Sequence, residues 1–202
     1  QAGEARVRVK AAGICHSDWH IMNGDWQVPL PMVLGHEAAG IVEEVGSGVT
    51  NVKPGDHIIF SFKPQCGHCL YCSMGRSILC DGHKSARWTM LDGSHRLTQK
   101  GQNINQMARI GTFSEFVVCP SEMLVPIRKE MPWPQAALVG CCVPTGVGAV
   151  TACAKVEAGA SVLVIGCGGV GLNVVQGARL AGAGMIVACD LLDSKLGYAK
   201  EF

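Results

Sequence analysis

The residues with the clearest chemistry are four cysteines. Cys66-Gly67-His68-Cys69-Leu70-Tyr71-Cys72, followed after seven residues by Cys80, places four thiols within one short segment. Soft anionic ligands at that spacing can close a tetrahedron around Zn²⁺ with no help from elsewhere, which leaves no position for a substrate and makes such a site structural. His68 lies inside the cluster and could stand in for a cysteine. Two disulfides or unpaired thiols are the competing reading. The chain has 11 cysteines but opens with no basic-then-apolar leader, so metal or thiol chemistry in a cytoplasmic setting is expected instead. A zinc-ribbon interaction module is a rival from another class, although ribbons pair two Cys-x-x-Cys knuckles across a longer loop.

A second pattern concerns phosphate. Gly166-Cys167-Gly168-Gly169-Val170-Gly171 follows the apolar run Ser161-Val162-Leu163-Val164-Ile165 and precedes Val170, Val174, Val175 and Ala178 at helical spacing. Glycines between a strand and a helix allow a tight turn and bring pyrophosphate close to the backbone N–H groups of the helix N-terminus. Asp190 ends the next apolar run, nineteen residues past Gly171, where an acid can bond both ribose hydroxyls. An aspartate there repels a 2′-phosphate, so NAD is favoured over NADP.

These motifs need elements to hold them. The first ~140 residues read as short antiparallel strands punctuated by turns, such as Arg6-Val7-Arg8-Val9, Gly40-Ile41-Val42-Glu43-Glu44-Val45 and Ile58-Ile59-Phe60 after the turn Lys53-Pro54-Gly55-Asp56. From about Val143 a small-residue helical stretch, an apolar strand, a helix and a second strand at Met185-Ile186-Val187-Ala188 form one βαβ unit of a parallel α/β sheet. A single such unit leaves its strands half paired, so the sequence is expected to stop in mid-fold.

Composition narrows the function classes. Among 202 residues, 48% are hydrophobic and 16% charged, which excludes a disordered chain. A net charge of +1 spread along the chain provides no basic stripe for nucleic acid. The longest uncharged stretch, Ala158 to Gly177, is broken by glycines, Asn173 and Gln176, and reads poorly as a membrane span. The scattered Cys119, Cys142, Cys153, Cys167 and Cys189 read mostly as buried filler.

Single Cys and His residues elsewhere would be weak signals without their context. Gly13-Ile14-Cys15-His16-Ser17-Asp18, Gly35-His36-Glu37-Ala38-Ala39-Gly40 and Gly140-Cys141-Cys142-Val143-Pro144-Thr145-Gly146 closely resemble the metal-site segments of the zinc-dependent medium-chain alcohol dehydrogenases, with the four-cysteine lobe between the second and third as in that family. The stretch from Asp92 to Thr98, with Gly111 to Phe116, resembles the branch that holds the liver-type and the glutathione- or mycothiol-dependent formaldehyde-oxidising enzymes.

The resemblance implies a GroES-like antiparallel β domain with a structural zinc lobe over residues 1–143, followed by the first βαβ unit of a Rossmann α/β domain over 144–202, truncated at both ends. It implies two Zn²⁺ per chain, one held by Cys66, Cys69, Cys72 and Cys80. The other is catalytic, bound by Cys15, His36 and Cys141 with an open fourth position and Glu37 close by. Cys142 offers the same ligand type next door to Cys141, where the family more often has glycine. Asp18 would orient His36, and Ser17 and His20 match the family's proton relay. For NAD, His16 would approach the pyrophosphate, Thr145 the nicotinamide and Lys195 the adenosine ribose, beside Gly166, Gly168, Gly169, Val170, Gly171 and Asp190. Trp26 and Phe62 fall where the family lines its substrate pocket.

The implied function is oxidation of a primary or secondary alcohol to an aldehyde or ketone by hydride transfer to NAD, in a homo-oligomer. Its alternatives are a thiol-dependent formaldehyde dehydrogenase, a non-catalytic zinc-binding fragment and a zinc-ribbon interaction module.

Overall fold

The computed structural model describes residues 1–82 and 87–202. Contacts divide the chain into two compact units, Gln1–Gly140 and Cys141–Phe202.

In the first unit β1 (Glu4–Gly13) leads into helix α1 (His16–Met22), then β2 (Met32–Val33), β3 (Glu37–Val45), β4 (His57–Phe60), the single turn of helix α2 (Leu70–Ser73), β5 (Leu97–Gln99), β6 (Gln102–Gln106), β7 (Phe116–Pro120), β8 (Leu124–Pro126) and α3 (Trp133–Leu138). Five strands form one sheet in the order β7-β1-β3-β4-β8, every neighbouring pair antiparallel. The other three form a small sheet, β2-β6-β5. There β2 pairs with β6 in parallel through Met32 and Val33, a departure from the wholly antiparallel expectation. The pair is only two residues long and joins segments far apart in sequence, so no local alternation announces it.

The five-stranded sheet follows the period of two written in its sequence. Along the start of β1, Ala5 and Val7 are buried while Glu4 and Arg6 turn away. They join Val42, Ile58, Phe60, Val117, Cys119, Met123 and Leu124 in one core. A second, smaller cluster sets Ala136 and Ala137 of α3 on Ala39 and Ile59.

In the second unit α4 (Cys142–Gly148) continues as a π-helical turn to Ala154, followed by β9 (Ser161–Ile165), α5 (Gly169–Leu180), β10 (Met185–Cys189) and α6 (Asp193–Glu201). Strands β9 and β10 pair in parallel, Ser161 opposite Met185 through Ile165 opposite Cys189, with α5 as the crossover. Helix α5 buries Asn173, Val175, Gly177 and Ala178 but leaves Val170 exposed, so the stripe begins one turn later than the valine spacing implies. Leu163, Ile165, Met185 and Val187 are exposed as well. Two of the scattered cysteines, Cys153 and Cys189, lie at the surface, contrary to their reading as buried filler. None of the described helices is long and apolar enough to cross a membrane.

Candidate metal and cofactor sites

The register of one strand pair assembles the first site. In the antiparallel β1–β3 ladder Gly13 stands opposite Glu37. The residues just past the end of β1 and just before the start of β3 therefore emerge together, and these are Cys15 and His36. Gly13 is small for a reason: a Cβ there would lie 2.8 Å from Glu37 Oε2, in the space the carboxylate fills.

Asp18 ties the two segments. Its side chain is fully buried on the first turn of α1. Oδ2 accepts the backbone N–H of Cys15 at 2.9 Å and Oδ1 that of Gly35 at 2.9 Å. Oδ2 also lies 3.7 Å from His36 Nδ1, an ion-pair distance too long for a hydrogen bond. Burial pushes the Asp18 carboxyl up, but the imidazole and the two N–H donors outweigh it and hold it below the usual carboxylate range. Burial likewise works against charge on His36, yet Asp18 and Cys15 raise that ring to about 9. The surroundings thus favour a cation on this imidazole, a proton or a metal in competition for it. Phe62 packs edge-on against the same ring, with centroids 5.7 Å apart.

Cys141 directly continues the chain from Gly140. The ligand atoms of Cys15, His36, Glu37 and Cys141 all lie within 4.8 Å of one another. Donors on a zinc tetrahedron with ~2.3 Å bonds stand ~3.8 Å apart, so the set fits this ion in both chemistry and spacing. Of the adjacent cysteines, Cys141 joins the group, whereas Cys142 is buried with its sulfur 3.8 Å from Asn173 Nδ2. Replacing Asp18 with alanine is expected to weaken zinc binding at this group by about 10–100-fold, because both ligand segments lose their shared acceptor. Chelator competition would measure the change, and an unaltered affinity would exclude the orienting role.

The second group is Cys66, Cys69, Cys72 and Cys80, whose sulfurs also lie within 4.8 Å of one another. None is in a disulfide. Backbone N–H groups point at sulfur, from Cys66 to Cys80 Sγ and from Cys69 to Cys66 Sγ, each at 3.3 Å. The N–H groups of Cys72 and Asp81 draw the Cys69 thiol down to about 6, and that of Cys66 lowers Cys80. Desolvation and the three sulfurs around it push Cys72 up to about 12. Four thiols this close cannot all ionise unless a cation sits among them, so the group has the chemistry of a closed site that a cation would fill. His68 stands outside the group, exposed, with Nδ1 2.7 Å from the Cys66 carbonyl oxygen.

Helix α1 also carries His16, Ser17 and His20. His16 is exposed, Ser17 and His20 half-buried, and the two rings meet edge-on at 4.8 Å. Trp26 stacks on His20 at 5.1 Å. His20 Nδ1 is 2.9 Å from Asp25 Oδ2, a partner the sequence reading missed. The one available signal was an acid five residues on, across the Asn23-Gly24 turn.

In the second unit the glycine motif turns between β9 and α5. A Cβ at Gly171 would lie 1.8 Å from the Gly166 carbonyl oxygen, so the first turn of the helix closes on the strand end only without a side chain there. Asp190 accepts the backbone N–H of Cys167 at 2.8 Å and of Leu192 at 3.0 Å, and both hold its carboxyl below the usual range. Lys195 Nζ is 3.8 Å from Asp190 Oδ2. Gly168 caps α5, Gly169 opens it, and Val170 is exposed on its first turn. The Thr145 hydroxyl donates to the Cys141 carbonyl at 2.7 Å.

Comparison with known proteins gives a consistent answer. Residues 1–129 match the family described as the alcohol dehydrogenase GroES-like domain. The chain is 46% identical over 98% of its length to an NDMA-dependent alcohol dehydrogenase of Amycolatopsis methanolica, covering 54% of that protein. To an S-(hydroxymethyl)glutathione dehydrogenase of Paracoccus denitrificans it is 44% identical over its whole length, covering 55% of that protein. The crystal structure of benzyl alcohol dehydrogenase from Acinetobacter calcoaceticus superposes with a TM-score of 0.86 at 32% identity, over 100% of this chain and 55% of that one. The chain thus spans about half the length of the curated relatives it matches.

Proposed function

The chain belongs to the zinc-containing medium-chain alcohol dehydrogenase family, and from that premise we propose that it supplies the metal sites and the start of the NAD site of an enzyme oxidising a primary or secondary alcohol to an aldehyde or ketone. The observation that carries this reading is the convergence of Cys15, His36 and Cys141, separated in sequence, on one space beside Glu37. Three ligands of this kind leave a coordination position for substrate, unlike the closed four-thiol lobe.

When bound, zinc at Cys15, His36 and Cys141 supplies the Lewis acidity that lowers the pKa of an alcohol hydroxyl, and NAD accepts the hydride. The chain's own residues do the rest. Asp18 fixes the ligand segments, and Ser17 and His20 carry the released proton toward water. Phe62, against His36, and Trp26, against His20, place aromatic walls where a small or unbranched alcohol would enter. The proposed domains are a GroES-like domain over 1–143 and a Rossmann start over 144–202, with a second zinc in the lobe. His16, Thr145 and Lys195 are the further proposed cofactor contacts. The expected setting is a cytoplasmic homo-oligomer.

A second reading has a specific observation behind it. One relative is named for S-(hydroxymethyl)glutathione, so an aldehyde adduct of a thiol carrier is the alternative substrate class. The test is a substrate panel on a polypeptide carrying this chain together with the portion its relatives have beyond it. Alcohols and formaldehyde are offered with and without glutathione or mycothiol, and with NAD or NDMA as acceptor. Zinc-dependent oxidation of simple alcohols without thiol supports the first reading, oxidation only of the thiol adduct supports the second, and no oxidation under any condition rejects both.

Cofactor choice is separately testable. Replacing Asp190 with asparagine keeps an oxygen to accept the Cys167 N–H but removes the charge that opposes a 2′-phosphate. The preference for NAD over NADP is then expected to shrink by about tenfold, the worth of one charged hydrogen bond. Calorimetric titration with both dinucleotides reads it, and unchanged selectivity would remove Asp190 from the ribose site.

A further inference from the structure

Past the end of α1 the chain folds back on itself. The backbone N–H groups of Asp25 and Trp26 both reach the His20 carbonyl, at 2.9 and 3.3 Å. The fold sets three groups around the His20 ring: the Asp25 carboxylate 2.9 Å from Nδ1, the Trp26 ring stacked on one face and the His16 ring edge-on. Asn23 Nδ2 donates to the other Asp25 oxygen at 3.1 Å, which orients the carboxylate. The bond to His20 is the foremost reason the Asp25 carboxyl lies below its ordinary range.

We propose that Asp25 is a positioning residue for His20: its carboxylate holds the neutral imidazole with the hydrogen on Nδ1, so that Nε2 offers its lone pair to the proton passed along from Ser17. This rests on the reading of Ser17 and His20 as a relay. A carboxylate only accepts, so the nitrogen facing it must carry the hydrogen, and the far nitrogen becomes the base. One proton reaches Nε2, an N–H bond forming as the donor's O–H bond breaks. The resulting imidazolium, paired with Asp25, releases the Nε2 proton to water, which restores the neutral ring with its hydrogen on Nδ1. The pair is too exposed to add much to stability, so its effect lies in the choice of tautomer.

Long-range ¹H–¹⁵N correlation spectra of the ¹⁵N-histidine-labelled chain read the tautomer directly, at a pH where the rings are neutral, with His20→Gln identifying the resonance. The expected result is the Nδ1–H form for His20 in the unaltered chain and reversion in Asp25→Ala to the Nε2–H form that free imidazole side chains prefer in water. Nε2–H in the unaltered chain overturns the proposal even if the variant does not fold, as does Nδ1–H retained in Asp25→Ala. In the longer polypeptide Asp25→Ala is expected to lower kcat about tenfold with KM and zinc content unchanged, and to add nothing to the loss caused by His20→Ala. Additive losses would mean that Asp25 acts elsewhere. If the tautomer switches as expected but no alcohol is oxidised by any form, the positioning stands and the dehydrogenase reading falls.

Discussion

If the chain holds the two zinc ions proposed for it, replacing Cys15 with serine is expected to remove one of them and leave the other in place, and in the longer polypeptide to abolish the proposed alcohol oxidation. The two candidate groups share no residue, and each closes on its own. Serine keeps the size of cysteine but not its ionisation, since a hydroxyl does not become an anionic ligand at neutral pH as a thiol beside a metal does. Loss of Lewis acidity worth several kcal/mol corresponds to a fall in turnover of about a thousandfold or more. Metal analysis by mass spectrometry with parallel rate measurement reads both effects. Loss of both ions, or of neither, would show that Cys15 does not belong to a separate metal centre.

The second large effect is expected from Cys69→Ser in the four-cysteine lobe. This segment has little besides sulfur to hold it. Helix α2 buries no side chain, and Leu70, Met74, Ile78 and Leu79 all face outward. Nor does any lobe residue enter the main core, which is built from the five-stranded sheet and the residues packed on it. Structural zinc in small modules contributes ~10–16 kcal/mol of binding free energy that is also folding free energy. Removing one thiolate should therefore release that ion and open residues 66–82 to proteases, while the sheet and the Cys15 group stay intact. Limited proteolysis with mass mapping reads the outcome. A lobe that resists cleavage without its ion would mean that apolar packing or hydrogen bonds hold it instead.

The parts legible in the sequence were those governed by short-range rules. Alternation along β1 and the apolar run at Ser161–Ile165 followed from the period of two and from strand length, and the four-cysteine group from ligand spacing alone. Where partners come from distant segments the local pattern carries no such information. The parallel β2–β6 pair rests on two residues at each end of a long excursion. The convergence of Cys15 with His36 follows from the register between Gly13 and Glu37, which no local pattern encodes, so only the likeness to a family brought those residues together. Asp25 escaped notice because its role depends on a backbone reversal after α1 that brings the carboxylate back to His20. The exposed Cys153 and Cys189 show the opposite error, in which apolar surroundings were read as burial.

Zinc-edge anomalous diffraction from crystals of the chain puts the metal assignment to the most direct test. Two peaks are expected, one among the sulfurs of Cys66, Cys69, Cys72 and Cys80, and one within bonding distance of Cys15 Sγ, an imidazole nitrogen of His36 and Cys141 Sγ. From crystals grown with zinc in excess, a single peak confined to the four-cysteine lobe, with no metal between Cys15, His36 and Cys141, would contradict the catalytic centre and the function built on it.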